Sequence, residues 1–178
     1  MVKLPEPLFF KQGYVTLPVK VVGIPKKLVV KGVEVYAKAE FHVSILKVEK
    51  YLPAVVEKVK ISEDEAQNEI LRTVSEFVKK NPLKFERLID EFRFVEEAEN
   101  KTVIVMCQVQ NVDKLYDHLR LTLTIDLQTQ PTHITLYTLD NGNGIGLTDQ
   151  TELSNLSEVL DENEAESLGL KAENIKVS

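Results

Sequence analysis

The sequence of 178 residues predicts an α+β fold, in which antiparallel strands are combined with amphipathic helices. Two observations support this class. The stretch 13–47 is rich in Val, Tyr, Phe and Ile in partial alternation, which is typical of strands. After Ser62 the apolar residues recur at helical spacing instead, and both periods return in the second half of the chain.

The first half of the chain is predicted to contain three strands followed by three helices. Glycine and proline separate the strands, which are expected at residues 13–22, 28–36 and 39–47. A short helix is expected at about 50–60. The next helix starts with a capping box formed by Ser62 and Glu65. After Pro82, residues 83–90 are predicted to form a third helix.

The second half is predicted to contain a hairpin, a helix and a further strand. Two strands joined by the polar turn AENK account for residues 92–110. Asn111 is expected to cap a helix over 112–123, and a strand over 119–127 is the alternative because LRLTLTIDL also alternates. Residues 132–139 form the next predicted strand, and the Asn-Gly turn in LDNGNGIGL is expected to close a hairpin. The acidic tail is expected to start with a helix.

Charge and composition exclude several classes of function. The formal net charge of −6 argues against binding of long duplex nucleic acid, because Lys and Arg must displace the counterions of the phosphates. The sequence lacks both a secretory signal pattern and an apolar stretch of the roughly 18 residues that a membrane span needs. The lone Cys107 is interpreted as a buried thiol in a reducing compartment. We therefore expect a soluble, cytoplasmic, monomeric protein with no membrane partner.

Two short motifs in opposite halves of the chain carry the same pattern. His42 and Ser44 lie in HVSI, and His133 and Thr135 lie in HITL. Residues two apart on a strand point to the same face, so each motif presents an imidazole beside a hydroxyl and turns its apolar residues the other way. One such motif usually marks a structural histidine. Here two of only three histidines start the pattern, which favours a shared function.

This pair of motifs resembles the signature of the two-histidine (2H) phosphoesterase superfamily, which includes the LigT-type RNA 2',3'-cyclic phosphodiesterases. That family carries a His-x-Thr/Ser-x motif in each of two lobes. The segment PTHITL is similar to the Pro-His-x-Thr sequence that is common at the second motif. The resemblance covers about residues 42–139. The sequence departs from the family pattern at Thr132, which separates Pro131 from His133.

The resemblance implies a fold, a site and an activity. It implies that residues 1–178 form a single domain of two pseudo-symmetric lobes, each an antiparallel sheet flanked by helices, which share a central cleft; the lobe boundary is not readable from the sequence. His42 and His133 would divide the roles of general base and general acid, and Ser44 and Thr135 would bind phosphoryl oxygens. The implied substrate is a nucleotide or RNA end carrying a 2',3'-cyclic phosphate, which is hydrolysed or reversibly ligated.

The chemistry of these residues suits that role. An ordinary imidazole pKa of roughly 6.5 makes both protonation states available at neutral pH. Hydroxyls can donate to phosphoryl oxygens as charge grows in the transition state. Because no paired Asp or Cys at ligand spacing accompanies the histidines, neither a metal nor another cofactor is expected.

A few residues near the motifs are secondary candidates. Tyr137 shares the predicted face of His133 and Thr135, so it is a candidate for lining the cleft, and packing against the neighbouring lobe is the alternative. Lys38 and Lys47 are nearby candidates for steering a phosphate. The glycine-rich DNGNGIG lacks the ending of a phosphate loop, and it is expected to be a turn at the edge of the cleft.

Two other interpretations stay open. The first is a catalytically silent module that binds nucleotides or RNA ends on the same fold, which predicts binding without turnover. The second is a structural or interaction protein in which both histidines are hydrogen-bonded core residues. It predicts a large loss of stability when either histidine is replaced, since a buried polar network is then broken.

Overall fold

The computed structural model describes residues 2–139, 142 and 144–178. Over these residues the chain forms a mixed α+β fold with a mostly antiparallel sheet and five α-helices. The strands are β1 (Phe9–Lys11), β2 (Tyr14–Val19), β3 (Val21–Val22), β4 (Lys27–Val30), β5 (Val33–Ala37), β6 (Phe41–Lys47), β7 (Lys84–Glu97), β8 (Asn100–Gln110), β9 (His133–Thr138), β10 (Ser157–Val159) and β11 (Lys176–Val177). The helices are α1 (Leu52–Val59), α2 (Glu63–Lys80), α3 (Val112–Leu123), α4 (Gln150–Leu156) and α5 (Glu162–Ser167).

Nine strands form one sheet in the order β1-β2-β6-β9-β8-β7-β10, and the β4–β5 hairpin joins it where β5 pairs with β9. The halves of the chain meet at β9, which pairs with β5 and also with β6, the latter at Val43 and Ile134. The expectation of two separate sheets differs from this arrangement. Pairing β6 with β9 satisfies backbone N–H and C=O groups that two separate sheets would leave at open edges.

The main core lies between this sheet and the first three helices. Helix α2 starts at the predicted capping box, in which Ser62 Oγ accepts from the Glu65 N–H and the Glu65 carboxylate accepts from the Ser62 N–H. Its buried stripe consists of Ile70, Leu71, Val74, Phe77 and Val78. Each such side chain contributes roughly 1.5–3 kcal/mol by leaving water, which orients α2 against the sheet.

Two predicted elements have a different structure. In the stretch 83–90, where a helix was predicted, residues 84–90 belong to β7. Pairing of β7 with β8 along most of its length overrides the short helical pattern. The predicted strand 28–36 is the β4–β5 hairpin. Its turn residues Lys31 and Gly32 have φ values of 51° and 76°, the left-handed conformation that two-residue hairpin turns require.

The helix predicted after Asn111 is confirmed as α3, and the alternative strand over 119–127 is wrong. Asn111 does not act as the expected side-chain cap within the described chain. It has a left-handed backbone, with φ of 65°, and its Nδ2 donates to the Pro82 carbonyl at 3.0 Å. It therefore ties the start of α3 to the start of β7.

A smaller apolar cluster is formed by Val95, Ile104, Ile145, Leu147 and Leu153. It packs the segment 144–149 and helix α4 against strands β7 and β8. The predicted Asn-Gly turn includes residues 140, 141 and 143, which lie outside the described residues, and no strand follows it in 144–149. No helix of the described chain is long and apolar enough to cross a membrane.

Candidate active site

The two sequence motifs come together where β6 and β9 pair. Val43 lies directly opposite Ile134, so the antiparallel register puts His42 opposite Thr135 and Ser44 opposite His133. Val43 and Ile134 are fully buried in the main core, and the four polar side chains occupy the other face of the sheet. Diagonal neighbours of this kind lie ~7–8 Å apart, so the imidazoles share one face instead of standing on opposite walls.

These four side chains lie in a cleft of about 900 Å³. A cavity of this size is within the range of small-molecule sites, roughly 300–1,000 Å³. The floor comes from β2, β6 and β9, with Thr16 opposite Ser44 and Pro18 opposite His42. The glycine-containing segment 144–147 forms part of the wall, as the sequence predicted for the stretch DNGNGIG in its described part.

His133 is the more enclosed histidine, with 5 % of its surface exposed at the floor of the cleft. Its Nδ1 lies 3.0 Å from the carbonyl oxygen of Pro131. Because a carbonyl only accepts, Nδ1 carries the proton and Nε2 holds the lone pair of the neutral ring. Burial lowers the pKa of His133, and the Pro131 carbonyl acts in the opposite direction. The neutral ring is thus prepared to take a proton at Nε2.

His42 is half-buried on β6 and has a different electrostatic environment. Its pKa is lowered by burial first, and then by Lys38, by the protonated form of His133 and by Lys11, while Glu40 acts in the opposite direction. A protonated His133 disfavours the protonated form of His42, as expected for two rings that line the same cleft. An anion bound between them would offset these effects and favour the imidazolium form of His42.

Ser44 and Thr135 present their hydroxyls half-buried on the same face. Thr135 also touches the glycine-containing wall, since a Cβ built on Gly144 would lie 2.9 Å from Thr135 Oγ1. Only a glycine at 144 lets the chain pass this closely without moving the hydroxyl. The wall therefore limits where the Thr135 side chain can turn.

Gln130 is a site residue that the sequence pattern did not identify. Its side chain is buried, with 2 % exposed, and lines the cleft. Gln130 Nε2 donates to the Ser44 carbonyl at 3.1 Å, and its Oε1 accepts from the Lys47 N–H at 3.2 Å. These bonds hold β6 at its β-bulge, where Ile45 is the extra residue relative to β2.

Tyr116 of helix α3 holds the same bulge from the core side. Its hydroxyl donates to the Ile45 carbonyl at 2.9 Å, and its ring is fully buried. Together Gln130 and Tyr116 bind three backbone groups of β6 at the bulge, where an extra residue disrupts the ladder. Neither residue has a local sequence signal, because each partner lies far away in the chain.

A further side-chain contact fixes the start of β9. Thr132 Oγ1 donates to the Cys107 carbonyl at 2.6 Å, and the Cys107 N–H donates to the Thr132 carbonyl at 3.0 Å. This pairing extends the β8–β9 ladder by one residue before His133. Burial raises the pKa of the Cys107 thiol to about 12, as expected for an unreactive core cysteine.

Tyr137 does not lie on the face that the sequence predicts. It is fully buried in the main core, and its hydroxyl donates to the Pro25 carbonyl at 2.9 Å. A register shift between β8 and β9 makes Leu136 an extra residue between Thr135 and Tyr137. Because a bulge breaks the two-residue alternation, Tyr137 faces the core and Thr135 faces the cleft. The proposed cleft-lining role of Tyr137 is therefore corrected.

The other end of the wall is tied down by charged groups. Lys50 Nζ donates to Thr148 Oγ1 at 2.9 Å and to the Asp149 carboxylate at 2.6 Å. The Glu152 carboxylate accepts from both the N–H and the hydroxyl of Thr148. Since Ile145 and Leu147 also pack into the smaller apolar cluster, the described part of this wall is held on both sides of Gly146.

The charge lining the cleft is opposite in sign to that of the whole protein. Lys11, Lys20 and Lys38 line it with a single described carboxylate, Glu40, whereas the formal net charge is −6. A cleft of this kind attracts anions. In the described part of the chain, no three His, Cys, Asp or Glu side chains come together in a group that could hold a metal ion.

The chain was compared with protein-family models, with curated proteins and with solved structures, and none of the three comparisons found a match.

Proposed function

We propose that the protein is a metal-independent phosphoesterase of the 2H type, which hydrolyses, or in reverse ligates, 2',3'-cyclic phosphate ends of RNA or small cyclic nucleotides. The observation that supports this most is the arrangement of His42, Ser44, His133 and Thr135 on one face at the β6–β9 junction. Two rings diagonal to each other can reach one phosphoryl group from different sides, and each has a hydroxyl directly across from it.

In the proposed reaction His133 is the general base for hydrolysis. Its Nε2 takes a proton from a water molecule as the water oxygen bonds to phosphorus, and the bond from phosphorus to one sugar oxygen breaks. His42, protonated while the phosphate is bound, gives its proton to that departing oxygen. The product is a nucleotide with an open phosphomonoester, and proton exchange with solvent restores both rings.

This assignment follows from the surroundings of the two rings. His133 has its Nδ1 proton committed to Pro131 and a lowered pKa, which suits a neutral base. His42 lies beside lysines whose charges lower its pKa, so an anionic ligand restores its protonated form. In the ligation direction the two roles reverse.

Ser44 and Thr135 are proposed to donate hydrogen bonds to the non-bridging phosphoryl oxygens. The hydroxyls are oriented before the ligand arrives, because Gln130 holds the backbone of Ser44 and Gly144 restricts Thr135. Groups oriented in advance stabilise growing negative charge without rearranging during the reaction.

The two halves of the sheet are proposed to be the two pseudo-symmetric lobes of a single domain over residues 1–178. In support, each half contributes its motif on the strand that adjoins the junction, β6 from the first half and β9 from the second. The partner is a nucleotide or an RNA end, and neither long duplex nucleic acid nor a membrane. We also propose that the protein is a monomer and acts in the cytoplasm.

A silent binding module is the second candidate. The lowered pKa of both histidines favours it, since both rings are then neutral at pH 7 in the free protein and neither is ready to act as an acid. It differs from the enzyme in one observable: ligand binds and is recovered unchanged.

The test is an assay of the purified protein, with and without a chelator, on 2',3'-cyclic nucleotides, 2'-5'-linked oligonucleotides and ADP-ribose cyclic phosphate. Turnover of at least one of them that persists with chelator supports the proposal. Binding without turnover on the whole panel supports the silent module. Turnover that the chelator abolishes contradicts the metal-independent mechanism.

A further inference from the structure

Lys11 and Lys38 reach the cleft from different parts of the sheet. Lys38 lies in the turn between β5 and β6, where its backbone N–H donates to the Leu136 carbonyl at 3.0 Å, next to Thr135 on β9. Lys11 ends strand β1, opposite Tyr14 in the register. Both lysines line the cleft that holds the four motif residues.

Neither lysine has a carboxylate of the described chain within 4.0 Å. Other lysines on the same sheet do: Lys27 pairs with Glu34, and Lys101 pairs with Glu96. Among the described acidic residues, Glu40 acts electrostatically on Lys38, but the two side chains form no ion pair. Two ammonium groups in one cleft therefore lack a close counterion from the described protein.

The lysines also repel each other. The pKa of Lys38 is lowered by burial first and then by the charge of Lys11, so the ammonium of this half-buried side chain is less stable than that of an exposed lysine. In a protein of net charge −6, carboxylates are plentiful, yet Glu40 is the one described carboxylate that acts on Lys38, and it forms no ion pair with it. A ligand anion would relieve the repulsion between the two lysines.

We propose that Lys11 and Lys38 form a second anion subsite in the cleft, which binds a phosphate group of the ligand other than the one held at His42 and His133. This inference rests on the proposed function for the position of the first phosphate. The preferred ligand then carries two phosphates. The second phosphate is either the 5'-phosphate of a mononucleotide or the internal phosphodiester of an RNA end, and both offer the same anionic oxygens to a lysine.

Calorimetry with ligands that are not turned over tests the subsite. The probes are adenosine 3'-phosphate, adenosine 3',5'-bisphosphate and the dinucleotide ApAp, with the matching 2'-phosphates in parallel. Wild-type protein is expected to bind at least one two-phosphate probe roughly tenfold more tightly than the one-phosphate probe, which is the lower end of what a charge-assisted hydrogen bond contributes. Preference for the bisphosphate identifies a 5'-phosphate, and preference for ApAp identifies an RNA end.

The lysine variants decide whether that preference comes from this subsite. In the double variant Lys11→Ala/Lys38→Ala the preference is expected to fall below about twofold, while affinity for adenosine 3'-phosphate changes little. Lys38→Met keeps the aliphatic packing of the half-buried stem if the alanine variant is unstable. Lys79→Ala/Lys80→Ala, on the exposed end of α2, removes the same charge outside the cleft and is expected to retain the preference.

The subsite proposal is wrong if wild-type protein binds one- and two-phosphate probes equally or binds neither. It is also wrong if the preference for two phosphates survives in the double variant, or if the double variant loses affinity for every probe equally. Failure of the proposed function has a different signature. In that case the lysine-dependent preference for two-phosphate probes is present, but wild-type protein turns over no cyclic phosphate.

Discussion

Val43 on β6 lies directly opposite Ile134 on β9, and this pair connects the two halves of the chain through the sheet. Both side chains are fully buried in the main core. Their neighbours on either side, which face the cleft, are the two histidines and the two hydroxyl residues. The same cross-strand pair thus contributes to the core on one face and sets the spacing of the candidate site on the other.

Replacing either histidine is expected to remove most turnover. His42→Ala and His133→Ala should each lower kcat for a chromogenic cyclic phosphodiester by roughly 10²–10⁴-fold, because each removes one proton transfer. The double variant should cost little more than the worse single variant, since the two rings act as a unit. His118→Ala is the matched control: His118 lies on α3 and stacks on Phe77, with ring centroids 5.3 Å apart. A single variant that keeps near wild-type kcat would contradict the acid-base mechanism.

Gln130→Ala is expected to destabilise the fold and weaken activity together. The change leaves the Ser44 carbonyl and the Lys47 N–H without their side-chain partner, which should lower the free energy of unfolding by about 1–3 kcal/mol. Urea unfolding measures this loss. Gln108→Ala removes an exposed bond to Arg87 instead and should change stability by less than about 0.5 kcal/mol. Equal effects of the two variants would show that Gln130 does not hold the bulge.

Gly144→Ala is expected to act through Thr135. The added Cβ would lie 2.9 Å from Thr135 Oγ1, so the hydroxyl must turn away from its position in the cleft. Losing one hydrogen bond to a charged phosphoryl group should lower kcat/KM by roughly tenfold or more. In a Thr135→Ala background the same substitution should have an effect below about twofold. An undiminished effect in that background would assign it to some other contact.

Acidification is expected to destabilise the protein through the two histidines. Both have pKa values lowered in the folded state, with burial as the first cause. Below roughly pH 6.5 the unfolded chain therefore binds protons that the folded protein does not, and the free energy of unfolding falls as pH falls. His133→Asn can still donate to Pro131 but does not titrate. Its Tm should decline less than the wild-type Tm between pH 7.5 and pH 5.5, and parallel curves would contradict the lowered pKa of His133.

The local sequence pattern predicted the elements that are stabilised by contacts between residues close together in the chain. The capping box of Ser62 and Glu65 and the apolar stripe of α2 are complete within a few turns of chain, and α2 was found where the pattern indicated. The strands of both motifs were also predicted, because β6 and β9 alternate apolar and polar residues. The two motifs lie side by side because β6 pairs with β9. The sequence indicated this long-range pairing only by repeating the motif.

What the pattern missed depends on contacts between distant residues. The stretch 83–90 has a short helical pattern, but pairing with β8 makes residues 84–90 part of a strand. Tyr137 faces the core because of a β-bulge in β9, and the local sequence does not predict this bulge. Gln130 lies three residues before His133 in the sequence, yet its role arises from side-chain bonds to β6. Lys11 becomes relevant only when β1 joins the sheet.

The central claim is that two imidazoles bind one phosphate, and NMR of the histidine ring nitrogens tests it most directly. Adenosine 3'-phosphate or adenosine 2'-phosphate is titrated into protein labelled at the histidine rings, and the pKa of each ring is followed. We expect the nitrogen resonances of His42 and His133 to shift with one shared dissociation constant and the pKa of His42 to rise, while His118 stays unchanged. Saturating binding of both nucleotides that moves neither cleft histidine, or only one of them, would contradict the claim.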